Sequence, residues 1–146
     1  MSSSSFVDDG GATAPIATLL ERAFEVLRGD CPRAHAEMAR RLGDSTVRLC
    51  VDGEVFDVRV EKGAPRVHPP HGEASVRVRT TRAAVRSVLA GRRTLAHAVC
   101  ADEVRAEGRL ADLVTLLDTL EAFVHGAVRC DEVAQLYDEF RNERVA

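Results

Sequence analysis

The chain changes its hydrophobic period twice, and this limits the available folds more than any other feature. In the first forty or so residues, Ile16, Leu19, Leu20, Ala23 and Leu27 recur at helical spacing, so a helix is expected over residues 15–28. "GDCPRAHAEMARRLGD" supplies a second helix, with Pro32 suited to a first helical position and Gly43 to a stop. From Thr46 the period becomes two. In "TVRLCV" Val47, Leu49 and Val51 alternate with Arg48 and Cys50, and in "VFDVRV" Phe56, Val58 and Val60 alternate with Asp57 and Arg59. "DGE" between them is a hairpin signal, because Asp-Gly tolerates the positive φ that tight turns need. A short strand at residues 65–68, the loop "HPPHGE" and the strand "ASVRVRT" extend this into an expected antiparallel meander with one apolar and one charged face.

The helical period then returns. "TTRAAVRSVLAG" reads as a helix opened by Thr80 or Thr81 and stopped by Gly91, "TLAHAVCAD" as a shorter helix, and "EVRAEG" as a last strand. An apolar helix follows over residues 110–124, and an amphipathic one over residues 130–142 carries Val133, Leu136, Tyr137 and Phe140. This order implies an α+β fold in which helices cover one side of a sheet. At 146 residues the chain is expected to form one domain over residues 15–146, after a Ser- and Gly-rich disordered tail over residues 1–14.

Charge and cysteine content narrow the function. A net charge of -3, with acidic and basic residues mixed along the chain, argues against a nucleic-acid surface. No apolar run reaches the length of a membrane span, so integral membrane association is not expected. Cys31, Cys50, Cys100 and Cys130 have no CxxC spacing and no secretory signal precedes them, so a cytoplasmic location with reduced thiols is expected.

Residues suited to catalysis are scarce. His68 and His71 flank Pro69-Pro70, whose extended backbone splays two rings that would have to meet on a metal. His97 and Cys100 share a helix face but sit among apolar residues, which favours packing. His35 falls on the polar side of its helix, and His125 lies near a helix end. Asp57, Glu107, Asp112 and Asp118 are expected to pair with the many arginines on outer faces. No phosphate loop, dinucleotide fingerprint, nucleophile elbow or HExxH occurs. No catalytic residue, metal site or cofactor is therefore expected, and the chain is read as no enzyme. The apolar side says more: Leu116 and Phe123 widen the stripe of Leu110, Leu113, Val114, Leu117, Leu120 and Val124 beyond one narrow seam, which suits core packing on the sheet and, for part of the stripe, the alternative of lining an apolar cavity.

Over residues 16–124 the order of elements resembles the sterol carrier protein family, the sterol-binding domain. The resemblance lies in "DGEVFDVRVEKGAP", in "ASVRVRTTRAAVRSVLAGRRTLAHAV" and in "EVRAEGRLADLVTLL". It departs at Arg109, where the family often has an acidic residue, and at Asp102-Glu103, where a glycine often stands. The resemblance implies a mainly antiparallel five-stranded sheet with helices on one face, and non-covalent binding of a sterol, fatty acyl chain or other lipid. The inward-facing residues Phe56, Val58, Val76, Val78, Leu95, Val99, Leu116, Leu120 and Phe123 then become ligand candidates. Leu136, Tyr137 and Phe140 join them if the last helix acts as a lid. Alternatively, that helix serves an interaction module, in a homodimer or on a partner enzyme.

Overall fold

A computed structural model of the protein describes residues 15–141 except Val128. The tail expected over residues 1–14 and the end of the last helix at Asn142 lie outside the described residues. The order is α1 (Ile16–Asp30), α2 (Pro32–Leu42), β1 (Val47–Val51), β2 (Glu54–Glu61), β3 (Ala64–His68), β4 (Val76–Thr80), α3 (Arg82–Leu89), α4 (Leu95–Cys100), β5 (Arg105–Gly108), α5 (Leu110–Ala127) and α6 (Asp131–Arg141).

The fold is α+β, but its five-stranded sheet is mixed and runs β3-β2-β1-β4-β5. The β1–β2, β2–β3 and β4–β5 pairs are antiparallel, whereas β4 lies parallel to β1. This corrects the expected antiparallel meander, in which β4 would continue from β3. Pro69 and Pro70 have no N–H with which to prolong a ladder. The chain instead crosses the sheet and enters β4 beside the start of β1. There the Ser75 and Val76 N–H groups donate to the Thr46 carbonyl at 2.8 and 3.2 Å, and the Thr46 N–H donates to Ser75 Oγ at 3.1 Å.

The crossover is pinned by a buried ion pair. Arg48 Nε and Nη2 reach the two oxygens of Asp57 at 2.8 and 3.0 Å, and the His71 N–H donates to Asp57 Oδ2 at 3.0 Å. Arg48 also donates to the Gly72 carbonyl at 2.9 Å. Asp57 does pair with an arginine, as expected, but its side chain is 0% exposed and not on a solvated face. A carboxylate is tolerated at such burial only with its oxygens satisfied.

One sheet face carries Val47, Leu49, Val51, Phe56, Val58, Val76 and Val78 in register. It packs against Phe24 and Leu27 of α1, Met38 and Leu42 of α2 and Ala122 of α5. The β1–β2 turn has φ of 50° at Asp52 and 87° at Gly53, the left-handed pair that favours an Asp-Gly hairpin. Its two carboxylates start two helices. Glu54 accepts from the Ile16 and Ala17 N–H groups, both at 2.9 Å, and Asp52 accepts from the Arg82 N–H at 2.9 Å. Helix starts leave N–H groups without intrahelical partners and favour negative charge. Glu54→Ala is therefore expected to lower stability by about 1–2 kcal/mol in urea unfolding, the upper range for losing a cap.

Candidate apolar binding site

Helix α5 divides into three sectors. Thr119, Ala122 and Gly126 are buried on the side that packs along α2. Gly126 permits the approach: a Cβ there would lie 2.7 Å from Ala34 Cβ and 2.9 Å from Leu27 Cδ2. Leu113, Leu116, Leu120 and Phe123 are half-buried; Leu113, Leu116 and Phe123 pack on the core, and the Phe123 ring meets Phe24 edge-to-face at 6.3 Å. The third sector should be polar but is not. Leu110 is 77% exposed, Leu117 54%, Val114 49% and Val124 47%. At helical spacing this row adjoins the half-buried leucines. It lies on the side of α5 opposite Thr119, Ala122 and Gly126, the residues that pack along α2.

The β4–β5 side of the sheet is thinly covered. Leu49 is only half-buried although it sits in the central strand between Phe56 and Val78. Ala106, on the same face of β5, is exposed. The half-buried side of α5 and this end of the sheet thus present incompletely covered apolar surface, a chemistry suited to a hydrophobic chain.

The sequence candidates are distributed unevenly around it. Phe56, Val58, Val76 and Val78 do face the helices, but they are buried in the filled core. Leu116, Leu120 and Phe123 stand together on the half-buried side of α5. On α4, Leu95 is half-buried and Val99 is exposed. Leu136 and Phe140 are buried and Tyr137 is half-buried on α6, which packs on α1 and α3. The Arg86 guanidinium lies over the Phe140 ring at 4.8 Å, and its Nε donates to the Phe140 carbonyl at 3.2 Å. The apolar face of α6 is therefore used within the chain. Sequence reasoning placed Leu110, Val114, Leu117 and Val124 on the stripe but did not single them out as ligand contacts. Their only signal was the apolar character of α5 almost all round.

Reactive groups do not gather at this apolar surface. His97 and Cys100 are both exposed on α4, and Thr94 caps that helix by accepting from the His97 N–H at 3.0 Å. His35 is buried, not on a polar surface as its helix pattern suggested. Burial, followed by the charge of Arg28, lowers its pKa. Cys130 is also buried, and desolvation raises its thiol pKa, which disfavours the nucleophilic thiolate. Among the described residues no group of three His, Cys, Asp or Glu side chains could hold a metal, and no helix is long and apolar enough to cross a membrane. A cleft of about 550 Å³ between α1 and α6 is roomy but lined by Glu21, Glu25, Glu132, Glu139, Arg22 and Arg66, among others, and offers little to an apolar chain.

With this geometry, solved structures provide a comparison. The chain is similar to a structure described as UbiJ-SCP2, a ubiquinone synthesis protein, with a TM-score of 0.56 and 16% identity over 75% of this chain and 92% of the other. It is similar to the sterol carrier protein domain 2 of Helicoverpa armigera, with a TM-score of 0.55 and 11% identity over 77% of this chain and 95% of that one. No protein-family model and no curated protein matches the sequence. The chain therefore has the fold of the sterol carrier proteins, reached with little shared sequence.

Proposed function

We propose that the protein binds a hydrophobic ligand (a fatty acyl chain, a sterol or another lipid) without covalent chemistry, and carries it as a cytoplasmic protein. The observation that carries this reading is the apolar sector of α5, in which half-buried Leu113, Leu116 and Leu120 run into exposed Leu110, Val114 and Leu117. The sterol-carrier fold supports it at the level of architecture, and fold alone does not name a ligand. In this reading Leu116, Leu120 and Phe123 form the wall. Phe56, Val58, Val76 and Val78 back the floor from within the core, Leu95 and Val99 on α4 are further candidate contacts, and Leu136, Tyr137 and Phe140 act only by holding α6 in place. Each methylene taken from water would contribute about 0.8 kcal/mol, so a long chain binds tightly without a polar anchor. No residue is assigned a catalytic role.

The test is extraction of lipids from purified protein, followed by titration with a fluorescent fatty acid. Saturable micromolar binding is the expected result, and neither co-purified lipid nor saturable binding would sink the reading. Leu120→Glu, which sets a carboxylate against the ligand, should weaken binding at least about tenfold while the circular dichroism spectrum stays unchanged.

A further inference from the structure

We propose that the protein forms a twofold dimer through the free edge of β5, extending the sheet across two copies. The sheet has two edges, and they differ. β3 contains Pro65, which lacks an N–H, and α1 and α2 pack against it. β5 has no proline, all four of its residues are exposed, and among the described residues no strand pairs with its outer side.

Its charges fit a second copy in register. Arg105 and Glu107 lie on one face of β5 with Ala106 between them. Antiparallel pairing about Ala106 sets each Arg105 opposite Glu107 of the second copy and brings the two Ala106 residues together on the other face. Within one copy Arg105 stands opposite Arg79 in the β4–β5 register, an unfavourable like-charge pair. Glu107 of the second copy, which stands opposite Arg77 within its own chain, would add an acidic partner to Arg105 across the edge. Arg105 now reaches Asp102 at 3.0 Å, but both side chains are mostly exposed, and such a pair exchanges readily. The dimer stands apart from the ligand reading: fatty-acid binding and oligomeric state are separate measurements, and either can fail alone.

Sedimentation or light scattering of the full chain over a concentration series tests it, with Arg105→Glu, Glu107→Arg and the double swap. A wild-type dimer is expected. Each single swap should weaken dimerisation roughly tenfold or more, and the double swap should restore it. Hydrogen exchange at β5 adds a second readout, since amide protection there should rise with protein concentration. A wild-type monomer throughout, a dimer indifferent to both single swaps, or a double swap that stays monomeric would each overturn the proposal.

Discussion

Asp57→Ala is expected to cost about 3 kcal/mol, near the lower end for removing one partner of a buried ion pair. The lower end applies because the Arg48 side chain is 18% exposed and can turn to water once unpaired. The loss is more than electrostatic. Asp57 also receives the His71 N–H, and Arg48 holds the His71 and Gly72 carbonyls, so the crossover into β4 is released with it. Urea unfolding measures the loss, and exchange of the His71 amide should rise in parallel.

The same carboxylate makes stability depend on acid. Desolvation acts to raise its pKa, but the hydrogen bonds from Arg48 and from the His71 N–H, with the charges of Arg48 and Arg59, outweigh it. The net shift is downward. A carboxyl depressed in the folded state contributes stability above its unfolded pKa of about 3.9, and that contribution disappears as the pH falls through the folded value. Between about pH 5 and pH 2 the wild type should therefore lose stability more steeply than Asp57→Asn, which cannot titrate there. Parallel curves would show that the pair is electrostatically idle.

Gly126→Val should cost about 3 kcal/mol, the top of the range for overpacking a core. Ala34 Cβ, one of the two obstructions, cannot rotate out of the way. The other belongs to Leu27, which is 0% exposed and has little room to change rotamer. Gly126→Ala meets the same atoms with one methyl and gains about 1 kcal/mol of helix propensity, so a net loss of only about 1 kcal/mol is expected. Thermal unfolding of the two variants should preserve that order; a neutral valine variant would mean that α5 and α2 can separate at little cost.

Much of the architecture was legible because period reports local structure directly. The alternation through Val47, Leu49, Phe56 and Val58 places each on the face that meets the helices, and Pro32 and Gly43 bound α2 as their backbone chemistry predicts. Strand order was not legible. The partner of β4 is decided by how the segment after His68 crosses the sheet, through contacts of Asp57 with a backbone amide that leave no periodic trace. His35 shows a second limit: its helix position reads as polar, yet neighbouring elements bury it. The site was half legible for a similar reason. Periodicity gives the direction in which Phe56 or Val78 faces but not the distance to the opposite layer, so it cannot separate a filled core from incompletely covered apolar surface.

The β1–β2 turn bears on where foreign sequence can be inserted. Exposed hairpin tips are the usual choice for grafting an epitope or a reporter. At Asp52-Gly53-Glu54 an insertion would displace the carboxylates that hold the first turns of α1 and α3, and one cut would loosen two distant segments. The next turn, at Lys62-Gly63, has the same left-handed backbone with φ of 54° and 78° and is exposed. Of two hairpins that look interchangeable, the second is the permissive site, and the first is a joint on which two helices are hung.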